Sequence, residues 1–148
     1  MTGSVVCYGA MGSTKLSPSQ EKTYTRAVKD VVDTNVVAIW GPSGLGRTTI
    51  MGALHEATGG AFLSMREYVE KMESAHPLAL EETFQDFVLS AFRKKRTVYV
   101  DDLHLLNSVL CCHYSYPRKD FLESALTVIA SYVEGKDKRL VVGTFALL

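Results

Sequence analysis

The stretch VVAIWGPSGLGRTT, Val36 to Thr49, joins an apolar run directly to a glycine-rich turn. The run ends at Trp40 and contains no polar residue, which is typical of a strand buried on both faces of a parallel sheet. This interpretation places Trp40 in the core. A helical segment follows from about Arg47 to Ala57 and ends at Thr58-Gly59-Gly60. The stretch therefore predicts a strand, a tight turn and a helix in direct succession.

The turn matches the phosphate-binding consensus G-x-x-x-x-G-K-[ST] at every fixed position except the lysine. Glycine tolerates positive φ and lets the backbone approach a ligand closely. Successive amides can then form an anion-binding nest at the start of the helix. The alternative is an ordinary turn between a strand and a helix. The candidate phosphate-binding residues are Gly41, Pro42, Ser43, Gly44, Leu45, Gly46, Arg47, Thr48 and Thr49.

Arg47 stands where the consensus has lysine. Arginine keeps the positive charge and can bond phosphate oxygens in pairs, but its planar group is bulkier than an ammonium. We expect Arg47 to reach the β- and γ-phosphates of a nucleotide, with weaker binding and slower chemistry than lysine would give. Thr48 is placed to offer its hydroxyl to Mg²⁺.

An acidic pair follows a second apolar strand, since Asp101 and Asp102 come directly after Thr97–Val100. Beside a phosphate-binding loop, the first carboxylate is a candidate Mg²⁺ ligand, often through water. Asp102 is the candidate catalytic base that orients the attacking water. It is shorter than a glutamate by about 1.5 Å, and a base must come within about 3 Å of its proton. Taken alone, the pair also fits an ordinary acidic turn.

The rest of the chain alternates predicted helices and strands, which favours a mostly parallel α/β sheet with right-handed crossovers. Residues 1–16 predict a flexible or short-strand N-terminal segment, and residues 17–148 predict one nucleotide-binding domain. Ser17 and Gln20 predict a capping box at the start of a helix that runs to about Asp33. Further helices are predicted at 66–73, about 78–94 and 118–133, further strands at 61–65 and 139–148, and an irregular segment at 107–118.

These motifs together resemble those of the AAA/AAA+ ATPases. GPSGLGRTT looks like the Walker A loop, TVYVDDLHLL looks like the Walker B strand, and RLVVGTFALL falls where the family has its sensor-1 strand. The resemblance implies a three-layer αβα P-loop sandwich with strand order 5-1-4-3-2, ATP and Mg²⁺ as ligands, ring assembly and action on a protein or other macromolecule. It also implies that Thr48 and Asp101 hold the metal. Thr144 would contact the γ-phosphate or the attacking water, and is otherwise a β-branched strand residue.

Three features depart from this family. Arg47 replaces the lysine, Asp102 replaces the usual glutamate, and the 148 residues end near the fourth predicted strand. We therefore expect the 148 residues to contain no counterpart of the family's fifth strand, arginine finger or helical lid, and the strand 36–40 to lie at a sheet edge. We expect self-association or a partner chain to supply the missing elements. The segment SVVCY, Ser4–Tyr8, is one candidate for covering the edge.

The composition gives no support to binding of long nucleic acid, which depends on many Lys and Arg contacts with phosphate. Acidic and basic residues balance at 16 each, for a formal net charge of zero. No apolar run approaches about 18 residues, so no transmembrane helix is expected. The three cysteines form no C-x-x-C pair, which predicts reduced thiols in a cytoplasmic protein. The basic cluster Arg93–Arg96 leaves a nuclear location open.

Other functions stay open at this point. The leading prediction is a module that binds ATP with Mg²⁺ and hydrolyses it weakly. Arg47, Asp102 and the missing elements motivate an alternative, a catalytically degenerate module that binds nucleotide for regulation. A signalling switch NTPase of the STAND kind has similar motifs, although the short gap between the loop and the acidic pair argues against it. A small-molecule kinase would need a substrate-binding insert with basic residues, and none is evident.

Overall fold

The computed structural model describes residues 15–76, 78–108 and 119–145. Within these ranges one or two helices separate successive strands, in agreement with the predicted mostly parallel α/β arrangement. The elements are α1 (Pro18–Asp33), β1 (Val36–Trp40), α2 (Arg47–Thr58), β2 (Ala61–Leu63), α3 (Met65–Met72), α4 (Leu80–Lys94), β3 (Thr97–Val100), α5 (Leu105–Ser108), α6 (Lys119–Glu134) and β4 (Arg139–Thr144).

The described strands form one parallel sheet in the order β1-β4-β3-β2. Val141 of β4 pairs with Val37 on one side and with Tyr99 on the other. The last strand in the chain therefore lies in the middle of the sheet, between β1 and β3. This is the order implied by the family resemblance, with no fifth strand among the described residues.

Helices cover the two faces of the sheet and create three layers. Because successive side chains of a strand point to opposite faces, neighbouring residues enter different cores. Tyr99 and Val141 pack with α1 and α2, whereas Val100 and Val142 pack with α3, α4 and α6. The mixed α/β fold with a parallel sheet between helical layers is confirmed.

The strand β1 lies at the edge of the described sheet, as expected. Val37 and Ile39 are buried, but Val36 and Trp40 are 39% and 58% exposed. The prediction that this strand is buried on both faces, with Trp40 in the core, is therefore wrong. On the face that carries Val36 and Trp40, the buried cluster formed with α3, α4 and α6 contains, within the described part of the chain, no residue of β1. The segment Ser4–Tyr8, considered as a cover for this edge, lies outside the described residues.

Helix caps explain where the predicted boundaries hold and where they fail. The predicted box at α1 is confirmed, because the Ser17 side chain accepts from the Gln20 amide and the Gln20 side chain accepts from the Ser17 amide. A second box, formed by Ser64 and Glu67, starts α3. It ends β2 at Leu63 and shortens the strand predicted at 61–65, because an S-x-x-E signal favours a helix start over continued extension.

Two other predictions fall partly outside the described ranges. The strand predicted at 139–148 ends at Thr144, and residues 146–148 are not described. Residues 1–14 are not described either, so the boundary between an N-terminal segment and a domain starting at residue 17 stays a prediction.

The side chain of Asn35 ties the turn after α6 to the start of β1. Its Nδ2 atom lies 3.4, 3.2 and 2.9 Å from the carbonyl oxygens of Val133, Lys136 and Lys138. Its own carbonyl accepts from the Leu140 amide at 2.8 Å. The turn is therefore held against the strand that pairs with β4.

Replacing Asn35 with alanine should lower the free energy of unfolding by about 1–2 kcal/mol, because partly buried carbonyls lose their donor. Urea unfolding followed by circular dichroism measures this loss. The control Thr25→Ala removes an exposed bond to the Glu21 carbonyl within α1 and should change stability by less than about 0.5 kcal/mol. Equal losses in both variants would show that the Asn35 hydrogen bonds do not stabilise the turn after α6.

Candidate functional site

The loop between β1 and α2 adopts the backbone geometry that its glycines permit. Gly44 and Gly46 have φ values of +84° and +80°, a region that side-chain-bearing residues rarely occupy. Gly46 is also the N-cap of α2, and no side chain caps that helix. The first amides of α2 therefore keep hydrogen-bonding capacity for another acceptor, the arrangement that binds anions at helix starts. We call residues 41–46 the glycine loop.

Two contacts hold the glycine loop in place. The Gln20 side chain of α1 donates to the Leu45 carbonyl at 3.2 Å, and the Gly41 amide donates to the Thr144 carbonyl at 3.3 Å. A Cβ on Gly46 would overlap the Gln20 amide. Sequence reasoning assigned Gln20 to a helix cap alone, since nothing in local spacing links α1 to the glycine loop.

Thr48 and Asp101, predicted as the metal ligands, lie next to each other. Thr48 Oγ1 donates to Asp101 Oδ2 at 2.6 Å, across 53 residues of chain. Thr48 belongs to the first turn of α2, and Asp101 directly follows β3. Asp101 is only 4% exposed, so its carboxylate depends on these protein donors.

The Arg47 guanidinium lies against the acidic pair. Its Nη2 atom is 2.5 Å from Asp102 Oδ1, its Nε atom is 3.5 Å from Asp101 Oδ1, and its Nη1 atom donates to the Gly41 carbonyl at 3.0 Å. Arg47 is 8% exposed. We call this set of contacts the arginine bridge. It connects the start of the glycine loop to the end of β3, whereas the sequence led us to expect the same side chain on a nucleotide.

Asp102 has the left-handed backbone conformation, with φ at +55°, which is uncommon for a residue other than glycine. Its amide donates to Asp101 Oδ1 at 2.8 Å. Its side chain, 41% exposed, faces the guanidinium. His104 Nδ1 lies 4.0 Å from Asp102 Oδ1, and the His104 ring packs edge-on against Phe145. The catalytic-base role of Asp102 stays a prediction.

A glycine inside β4 makes the cluster possible. A Cβ on Gly143 would overlap both Asp101 Oδ1 and Met51 Sδ. Its bare backbone therefore lets the Asp101 carboxylate lie over the strand that separates β1 from β3. Sequence reasoning missed this residue, although a glycine inside a strand is a recognised sign of close approach.

Thr144 is buried, with 4% of its surface exposed. Because strand side chains alternate, its side chain points to the sheet face opposite the one on which Gly143 meets Asp101. Its expected contact with a γ-phosphate or water stays a prediction.

The structure brings Gly41, Arg47, Thr48, Asp101 and Asp102 into one connected cluster. The other loop candidates surround it: Pro42, Ser43, Gly44 and Leu45 are exposed, and Gly46 and Thr49 are half-buried. What each of these residues binds stays a prediction.

The paired oxygens of Thr48 and Asp101 fit Mg²⁺, which prefers few protein ligands completed by water and phosphate. Among the described residues, no group of three or more His, Cys, Asp or Glu side chains could hold a metal. The fit is conditional, because the guanidinium and a divalent cation would repel each other at Asp101. The residues suit the metal once Arg47 has moved away.

Replacing Arg47 with alanine should lower the free energy of unfolding by about 3 kcal/mol, since it leaves the buried Asp101 carboxylate without its cation. Chemical unfolding followed by circular dichroism measures the change. The control Arg26→Ala breaks an exposed pair with Asp30 and should cost less than about 0.5 kcal/mol. Similar losses in both variants would show that the arginine bridge does not support the fold.

Comparison with known proteins supports the fold class alone. No family model matches the chain, and no curated protein matches it in sequence. Among solved structures, the chain is similar to domain III of the replication initiation protein DnaA from Thermotoga maritima. The TM-score is 0.53 and the identity 15%, and the match covers 88% of this chain and 53% of that chain.

The chain thus spans about half the length of that structural neighbour. At this identity the likeness shows shared architecture, in agreement with the parallel sheet and its order. Within the described ranges, every helix is too short or too polar to cross a membrane. The comparisons support a mixed α/β fold with a parallel sheet between helical layers.

Proposed function

We propose that the chain is a nucleotide-binding module of the AAA+ kind. It holds ATP with Mg²⁺ at the glycine loop and the start of α2, and it hydrolyses ATP slowly. The phosphates lie against residues 41–49, chiefly against the first amides of α2, while Thr48 and Asp101 hold the metal. Asp102 orients water, and Thr144, at the end of β4, is the candidate contact for the terminal phosphate.

The contact between Thr48 and Asp101 carries this proposal. In open parallel sheets, ligands bind outside the carboxyl ends of the strands, and both residues lie at that end. The hydroxyl and the carboxylate meet at 2.6 Å from sites 53 residues apart. They lie beside a helix start that no side chain caps. An ordinary turn between a strand and a helix has no need for this combination.

Each group has a chemical task that its placement supports. The amides of the glycine loop stabilise phosphate charge without reorganisation, since the backbone is already in position. Bound Mg²⁺ would neutralise charge on the β- and γ-phosphates. Arg47 would add a second positive charge on leaving the acidic pair. Asp102, freed from Arg47, could then accept a hydrogen bond from water.

The proposed module works with other chains. Among the described residues, the outer edge of β1 has no neighbouring strand, and Trp40 is exposed. Such an edge with apolar surface usually marks a strand-pairing or contact site. We propose self-association or a partner chain that completes the site, with a protein as the substrate of remodelling.

A second candidate function is supported by the arginine bridge. Asp102 Oδ1 is 2.5 Å from Arg47 Nη2, so the residue proposed to orient water is engaged by the residue proposed to bind phosphate. A module in which Asp102 stays on Arg47 would have no free carboxylate to orient water, and it would bind nucleotide through the backbone amides alone, for regulation, without hydrolysing it.

Nucleotide binding should depend on the conformation of Gly44. Alanine at this position meets no atom within 4 Å but must adopt φ of +84°, which costs about 1–2 kcal/mol. The variant can relieve this strain only by leaving the conformation that presents the amides. Isothermal calorimetry with ATP and Mg²⁺ should show affinity roughly tenfold weaker than wild type.

The matched control is Gly135→Ala, in the turn after α6, where an added Cβ meets nothing and φ is ordinary. It should bind ATP as the wild type does. Absence of ATP binding by the wild-type protein, with and without Mg²⁺, would refute the proposed function.

Phosphate release separates the two candidate functions. A slow ATPase should show turnover above background, and Asp102→Asn should abolish it because the amide cannot accept the proton. Binding of ATP with no turnover by the wild-type protein would instead support the regulatory module.

A further inference from the structure

We propose that the arginine bridge is an autoinhibitory contact, in which the acidic pair and the phosphates of a ligand compete for the single guanidinium of Arg47. This inference concerns regulation of the site described above and rests on the proposed function. Its central claim is that Asp102 opposes phosphate binding. A residue that only orients water would not do so.

Geometry provides the first argument. Arg47 Nη2 is 2.5 Å from Asp102 Oδ1, and Nη1 is 3.0 Å from the Gly41 carbonyl. Nε faces Asp101 Oδ1 at 3.5 Å. The Nη2 and Nη1 contacts must break before the end of the guanidinium can turn to a phosphate above the glycine loop.

Charge provides the second argument. Arg47 contributes one positive charge and the acidic pair contributes two negative charges, so the bridged cluster has a net negative charge. A triphosphate approaching the glycine loop meets a cation already shared between two carboxylates. A lysine would provide one compact ammonium, whereas the arginine fork can contact three acceptors at once. The arginine substitution itself therefore creates the inhibitory contact.

Burial and backbone conformation provide the third argument. The Arg47 side chain is 8% exposed and the Asp102 side chain 41% exposed, so the guanidinium donors are shielded from water while the partner carboxylate is partly solvated. Asp102 holds its carboxylate in position from a left-handed backbone, with φ at +55°. Asparagine tolerates this conformation, so Asp102→Asn removes the charge and keeps the shape.

The bridge also links the metal to the nucleotide. Asp101 cannot give its full charge to a divalent cation while Nε of Arg47 faces its Oδ1 atom. A phosphate that draws Arg47 away exposes Asp101 to the metal, and a metal that occupies Asp101 releases Arg47 to the phosphate. Binding of the two ligands should therefore be mutually favourable.

The first test measures the affinity for ATP in EDTA, by calorimetry and by the fluorescence of Trp40. This single tryptophan precedes Gly41, whose carbonyl accepts from Arg47. Asp102→Asn should bind ATP roughly tenfold more tightly than wild type, the effect of one hydrogen bond to a charged group. The control Asp30→Asn removes the same charge from an exposed pair and should change affinity less than about twofold.

A double-mutant cycle with Arg47→Gln tests whether the tighter ATP binding of Asp102→Asn depends on Arg47. If Asp102 acts by holding Arg47, the Asp102→Asn substitution gains nothing in the Arg47→Gln background. An equal gain in both backgrounds, or no gain in the wild-type background, overturns the proposal. Where Arg47→Gln does not fold, Arg47→Lys replaces it. The gain from Asp102→Asn should then be smaller than in the wild-type background, since one ammonium cannot contact the same three acceptors, and an equal gain overturns the proposal.

A second measurement separates failure of this inference from failure of the proposed function. If neither wild type nor Asp102→Asn binds ATP, the function is refuted, and Mn²⁺ binding without nucleotide decides the inference. Electron paramagnetic resonance should show Mn²⁺ binding roughly tenfold tighter in Arg47→Gln than in wild type, because a neighbouring positive charge is gone. Equal Mn²⁺ binding by the two proteins overturns the autoinhibitory contact.

Discussion

The buried contact between Arg47 and the Asp101 carboxylate is the constraint on which the site depends. A carboxylate that is 4% exposed can stay ionised only with a cation or several donors beside it. Asp101 has the Thr48 hydroxyl, the Asp102 amide and the guanidinium. Two of these donors belong to the first turn of α2, and the third is the amide next to Asp101. The Asp101 side chain therefore holds the start of α2 to the end of β3.

Sheet order explains why the cluster needs a glycine in the middle. The strands β1 and β3 are not neighbours, since β4 lies between them. Groups from the ends of β1 and β3 meet only by crossing β4, and the absent side chain of Gly143 leaves that space to Asp101. Any larger residue there would force apart the carboxylate and Met51. The position of one glycine therefore decides whether the loop and the acidic pair can interact.

The likeness to a DnaA domain at 15% identity shows that this architecture does not require closely similar sequences. Parallel strands need uninterrupted apolar runs, crossover helices need an apolar face and the first turn needs glycine. Several residues of the same chemical class can meet each of these requirements, so the fold leaves the exact residue free at most positions. Architecture can therefore persist where sequence comparison finds no relative, while function depends on the particular side chains at the site.

Local patterns in the sequence determined the strands 36–40 and 97–100, the capping box at Ser17, the glycine loop and the acidic pair. Each of these depends on neighbours within a few residues. The tertiary structure decided that Trp40 is exposed, because burial of a strand depends on its place in the sheet. It also decided that Arg47 faces the acidic pair and that Gly143 leaves space for the Asp101 carboxylate. Those features arise from groups more than 40 residues apart in the chain, whose meeting no local pattern encodes.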